Sequence, residues 1–105
     1  MAEMITTGVW VVSEANQNAF LRAWAEFAEW ASAMDGAATL RLGHDTGERN
    51  RFVSFGPWDS PEHVHAWKAN GEFRQRMSKV MQFVDEFHPT ELDVVASVSS
   101  GQILS

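Results

Sequence analysis

Histidines, tryptophans and strand-borne arginines are the side chains through which this chain could do chemistry. His65 and His63 carry imidazoles, the side chain most often used as a general base, and either could act as one. They stand two residues apart, so on a helix they face different ways and cannot form the one-turn pair that a helical metal site uses. His44 opens a turn; it could reach the mouth of a pocket or simply be solvated there. His88, just before Pro89, reads as a junction residue. Trp67 follows Val64 on one helix stripe, and its indole N–H either holds a substrate oxygen or closes a helix–sheet core. Arg51 and Arg41 sit on strands, where a lone charge needs a reason. Each could bind a phenolate or carboxylate, or pair with an acid across a subunit contact. Asn70 could orient a substrate oxygen or cap a helix. Met77 and Met81 would give a pliable lining for a flat ligand.

Several chemistries are excluded by composition. The chain has no cysteine and no tyrosine among its 105 residues, so it has no thiolate site, no disulfide and no phenolic acid or base. No glycine-rich phosphate loop, nucleophile elbow or Cys/His cluster occurs, so hydrolase, kinase and structural-zinc readings have no support. The net charge is −6, from 14 acidic against 8 basic residues; such a chain repels phosphate backbones, and nucleic acid is not an expected partner. No apolar stretch approaches the roughly 20 residues of a membrane span. "MAEMITTGVW" lacks the basic and apolar regions of a secretory leader. Freedom from cysteine suits a reducing compartment, so the expected location is cytoplasmic. The length implies a single domain, placed at residues 1–98, followed by a small-polar tail at 99–105.

The elements that must position these side chains follow from periodicity. "MITTGVWVV", 4–12, is rich in β-branched residues and predicts a strand. Asn16 or Asn18 can cap a helix running to about Met34, with Phe20, Trp24, Phe27, Ala31 and Met34 on one stripe. Asp35-Gly36 stops it. "ATLRLG", 38–43, predicts a second strand, and "HDTGERN" a turn in which Gly47 is free to take positive φ. "RFVSFGPW", 51–58, predicts a third strand. Ser60, Pro61 and Glu62 then start a helix in the order cap, first-turn proline, first-turn acid. Asn70-Gly71 interrupts it, and a further helix from about Glu72 carries Phe73, Met77, Val80 and Val84. Pro89 ends that helix at or before His88, and "TELDVVASV", 90–98, predicts the last strand. The order β-α-β-β-α-β is the ferredoxin-like α+β arrangement: a four-stranded antiparallel sheet with helices on one face, the second helix being broken in two.

Helices on one face leave the other bare, yet the strands are apolar on both sides. Val9 and Val11 oppose Trp10 and Val12; Val53 and Phe55 oppose Phe52 and Trp58; Val94 and Val95 behave alike. Soluble monomers rarely expose so large an apolar patch. A second copy packed sheet to sheet is the simplest cover, so a homodimer is expected.

The helix "AFLRAWAEFAEWA", the passage "RFVSFGPWDSPEHVHAWKANGEFRQRM" and the ending "FHPTELDVVA" together resemble the antibiotic biosynthesis monooxygenase (ABM) family over residues 4–96. The resemblance implies a dimeric α+β barrel with a pocket between sheet and helices in each subunit. It makes Trp24 and Phe27 pocket wall as well as core, and matches Trp67 to a family tryptophan. Some members oxidise aromatic polyketides without metal or flavin; others degrade haem. The haem-degrading branch uses a first-strand Asn, absent from "MITTGVWVV", and a His whose place here is Met77. The expected function is cofactor-independent oxidation of a flat aromatic molecule, with Trp67, His65 and His44 as candidate catalytic residues and Trp24, Phe27, Asn70, Met77 and Arg51 as candidate substrate contacts. The alternative is a binding module of the same fold that does not turn its ligand over; a haem-degrading or haem-binding protein is the third reading.

Overall fold

The computed structural model describes residues 3–99. Its elements run β1 (Met4–Val11), α1 (Gln17–Ser32), β2 (Arg41–His44), β3 (Arg51–Trp58), α2 (Pro61–Ala69), α3 (Phe73–Met81) and β4 (Glu86–Asp93). The strands form one antiparallel sheet in the order β2-β3-β1-β4. This is the ferredoxin-like α+β fold expected from the element order.

Strand alternation places the core. Met4 and Trp10 of β1, with Phe52 and Trp58 of β3, are buried together with Phe20, Phe27 and Ala31 of α1, Val64 and Trp67 of α2, and Val80 of α3. All three helices therefore cover the same sheet face. Side chains of this size each contribute about 1.5–3 kcal/mol when removed from water. The opposite face carries Ile5, Val9, Val11, Val53, Phe55 and Leu92, and no helix covers it; Phe55 and Leu92 are 41% and 44% exposed.

The start of α2 is built as its sequence predicts: Ser60 accepts the His63 backbone N–H, Pro61 opens the first turn, and Glu62 lies within it. Gly36 has φ 82°, and a Cβ there would lie 2.3 Å from Cγ of His63, so the turn after α1 needs glycine. The start of α1 differs from expectation. A 3₁₀ turn, Glu14–Asn16, precedes it, and Asn16 sits at the cap position with helical φ/ψ and no side-chain cap bond. Gln17 does the anchoring instead, donating from Nε2 to the carbonyls of Val12 (3.1 Å) and Arg49 (3.0 Å).

Three other expectations are corrected. The second strand pairs regularly only over Arg41–His44 rather than 38–43. Before it, Ala37 bridges Trp58, and Leu40 folds onto Gly56 so closely that a Cβ there would lie 2.0 Å from its Cδ2. Gly47 does not use positive φ, which among the described residues only Gly36 does. Asp45 Oδ1 builds that turn by accepting the N–H groups of Gly47 (2.8 Å) and Glu48 (2.9 Å). The last strand is Glu86–Asp93 rather than 90–98 and runs straight through Pro89. An edge strand tolerates proline where the missing N–H would have pointed away from its partner, and β4 pairs with β1 alone. Accordingly α3 stops at Met81, short of Val84, and Asp85 N–H bonds the Val11 carbonyl at 2.8 Å to open the new strand. Val94 and Val95 fall beyond β4, and Val95 is 92% exposed. The apolar residues that β4 contributes are Phe87 inward and Leu92 outward. Residues 1–2 and the tail segment 100–105 lie outside the described residues.

Candidate functional site

The inward positions of the two central strands run large, small, small, large. β1 presents Met4, Thr6, Gly8 and Trp10, and β3 presents Trp58, Gly56, Ser54 and Phe52 directly opposite. The small residues meet in the middle and leave room above them. A cavity of about 200 Å³ occupies that space. Thr6, Ser54 and Gly56 line it from the sheet, Trp24 and Phe27 from α1, Trp67 from α2, Phe73 and Met77 from α3, and Phe87 from β4.

Aromatic packing holds the walls. Trp67 stacks on Trp58 with ring centroids 4.7 Å apart and meets Phe73 edge-on at 5.0 Å. Trp10 stacks on Phe87 at 3.9 Å. The floor hydroxyls satisfy two of the buried indoles: Trp10 donates from Nε1 to Ser54 Oγ at 2.9 Å, and Trp58 to Thr6 Oγ1 at 3.1 Å. Trp67 is different. It is 6% exposed, and its Nε1 has no acceptor among the described residues. Burying such an N–H unpaired costs about 1–3 kcal/mol.

Trp67, Trp24, Phe27 and Met77 are thus brought together around one cavity. His65, His44, Arg51 and Asn70 are not among its lining residues. His65 is exposed on α2. The His44 ring stacks on Phe52 at 4.0 Å, with Nε2 2.7 Å from the Arg49 carbonyl. Arg51 pairs with Asp45 at 2.9 Å beside the β2–β3 turn. Asn70 follows α2, and its Oδ1 accepts the Glu72 N–H at 2.8 Å. His63 is held by Ser60 Oγ, 2.8 Å from Nδ1, and Arg41 lies 6.0 Å from the Phe55 ring centroid.

Lys68 lines the cavity and was not among the sequence candidates; a lysine in the last turn of a helix reads as a solvated end charge. Thr6, Ser54 and Gly56 were missed as well. Their signal was present: small residues at inward positions of otherwise bulky strands mark unfilled volume. Among the described residues no carboxylate or imidazole lines the cavity, and no cluster of three His, Asp or Glu side chains is placed to hold a metal ion. Away from the cavity, the Glu48 and Gly47 amides, with Arg51 adding to them, hold the Asp45 carboxyl at about 2, below its ordinary 3.8.

A family model described as antibiotic biosynthesis monooxygenase matches residues 5–79, well over half of the chain. The chain belongs to the ABM family. That membership agrees with the resemblance seen in the sequence, and the solved structures similar to it place this ABM chain in the same fold. SnoaB, a cofactor-independent oxygenase from Streptomyces nogalater, superposes with a TM-score of 0.81 at 14% identity over 97% of this chain and 100% of its own. Rv0793 from Mycobacterium tuberculosis does so with a TM-score of 0.79 at 12% identity, over 92% of this chain and 99% of its own. Protein SO0527 from Shewanella oneidensis gives 0.77 at 15% identity, over 89% and 91%. At these identities the likeness is one of fold. No curated protein sequence matches the chain. Among the described residues no helix is long and apolar enough to cross a membrane.

Proposed function

We propose that this ABM protein is a cofactor-independent monooxygenase acting on a flat, acidic aromatic molecule held between the sheet and the helices. The observation that carries the reading is the unpaired indole N–H of Trp67, buried beside an apolar cavity. Such a chamber suits the chemistry. An ionised phenol supplies all four electrons that dioxygen takes up; one oxygen atom enters the ring to give a quinone and the other leaves as water. Exclusion of bulk water lets the anion meet dioxygen before it is reprotonated. Trp67 holds the substrate oxygen, while Trp24, Phe27 and Met77 sandwich the rings. The lining offers no carboxylate or imidazole to act as base, so the substrate must ionise on its own acidity. A cavity of about 200 Å³ is below the roughly 300–1,000 Å³ of drug-sized sites, which favours one or two fused rings over larger polycycles.

The absence of a base from the lining also favours the second reading, a module that binds such a ligand without oxidising it. Oxygen uptake separates them. The protein is incubated in air with a bicyclic phenol, 1-naphthol, and, in parallel, an anthrone-type phenol. Uptake above the spontaneous rate that falls at least tenfold in Trp67→Phe supports the oxygenase; this corresponds to about 1.4 kcal/mol lost with the N–H. Tight binding without uptake supports the module. Trp67→Phe also removes the unpaired donor, so the ligand-free variant is expected to match or exceed the parent in thermal stability. A large loss of stability would mean that Trp67 serves packing alone.

The active form is proposed to be a homodimer joined through the bare sheet face, which keeps each subunit's sheet rigid under its own cavity. Nothing in this reading calls for nucleic acid or membrane, and a cytoplasmic location suits it.

A further inference from the structure

We infer that Lys68 selects the charge of the ligand: the cavity takes an apolar ring system bearing one anionic oxygen, and Lys68 meets that oxygen by giving up its contact with Glu91. The inference rests on the reading of the cavity as a small-molecule site and goes beyond it in naming the ligand's charge and the residue that reads it.

Among the described residues that line the cavity, Lys68 is the only ionisable one. Its side chain is 36% exposed while the neighbouring Trp67 is buried, so it stands at the rim rather than in the interior. Its Nζ contacts Glu91 Oε2 at 2.5 Å, tying the last turn of α2 to β4. Glu91 lies opposite Thr6, a floor residue, on the cavity side of the sheet. The pair therefore closes one edge of the chamber with two charges that are both substantially solvated. An exposed ion pair of this kind is weak and exchanges readily. An entering carboxylate or phenolate can replace Glu91 on the ammonium and gain a charge-assisted bond, while its rings bury themselves against the aromatic walls. A neutral ligand gains nothing at that rim and leaves the pair intact. In a chain of net charge −6, this one cation at the chamber gives an anion its local complement. It also lowers the pKa of a phenol bound beside it, so that the substrate's own acidity suffices without a base in the lining.

Calorimetric titration at pH 7 with 2-naphthoate and its isosteric neutral amide, 2-naphthamide, tests this on the intact protein. The parent is expected to prefer the anion by about tenfold, a difference of roughly 1.4 kcal/mol. In Lys68→Met that preference should shrink to within about twofold, with naphthamide affinity unchanged. Glu91→Gln should tighten naphthoate and leave naphthamide alone, because it removes the competitor for Nζ. Equal affinity for the two probes in the parent, or a preference that survives Lys68→Met, overturns the inference and leaves the cavity reading standing. Binding of neither probe overturns both.

Discussion

Trp58 and Trp67 stack on one another, yet only Trp58 finds an acceptor for its N–H. The difference comes from the floor. Thr6 and Ser54 each supply one hydroxyl, and these are taken by Trp58 and Trp10. The same floor depends on what is absent. A Cβ on Gly8 would lie 2.7 Å from a Phe87 ring carbon and 3.0 Å from Ser54 Oγ. Gly8→Ala therefore has to displace the Phe87–Trp10 stack or break the Trp10–Ser54 bond. The expected cost is about 1–3 kcal/mol, the usual penalty for overfilling a packed site, and is read as a lower urea midpoint at unchanged slope. Legibility at this scale was uneven. Trp24, Phe27, Trp67 and Met77 were visible because helical spacing puts each on the apolar stripe of its own helix: the first two on α1, Trp67 with Val64 on α2, and Met77 with Phe73 on α3. The histidines drew attention for their chemistry alone, and His44 and His63 turn out to brace turns, where each ring has a hydrogen-bond partner.

At the scale of elements, local chemistry was readable wherever a cap or turn residue acts on its own neighbours. Ser60-Pro61-Glu62 starts α2 as expected, and Gly36 makes the turn after α1. Asp45 organises the β2–β3 turn through two backbone amides and Arg51, and this contact has a pH signature. Its carboxyl is depressed to about 2 in the folded protein against an ordinary 3.8. A depressed carboxyl stabilises the fold above its unfolded value, and the contribution is lost as pH falls toward the folded one. Amide exchange at Gly47 and Glu48 is thus expected to be slow at pH 5 and to accelerate below about 4, relative to exchange in the core strands. Asp45→Asn should remove that acid-dependent change; its persistence in the variant would assign it to another group. Strand four was misplaced because Pro89 is ambiguous on sequence grounds. It ends helices, but it also fits an edge strand, and whether a strand is an edge depends on the sheet order.

For the whole molecule, one sheet face is bare. All three helices lie on the other side, and Ile5, Val9, Val53, Phe55 and Leu92 face outward with no helix of the described residues over them. Under the dimer reading, light scattering at micromolar concentration should give twice the chain mass. Val53→Asp, which places a charge at the centre of that face opposite Val9, should shift the protein to single copies with its helical circular dichroism retained. A monomeric parent would remove the dimer from the proposal. The fall in oxygen uptake on Trp67→Phe is the corresponding test of function, and it does not depend on this one.

The sequence by itself determined the class and order of the elements, the apolar character of both sheet faces, and the aromatic stripe of α1. Each of these follows from the period of apolar residues along the chain, which is a local property. Only the tertiary structure decided that Gly8, Thr6, Ser54 and Gly56 converge to open a chamber, that Trp67 alone of its stacked pair lacks an acceptor, and that Lys68 stands at the rim against Glu91. Those facts depend on the register between strands and on the crossing of helices over them. Register joins residues as distant in sequence as Met4 and Asp93, and no local period encodes which pairs will meet.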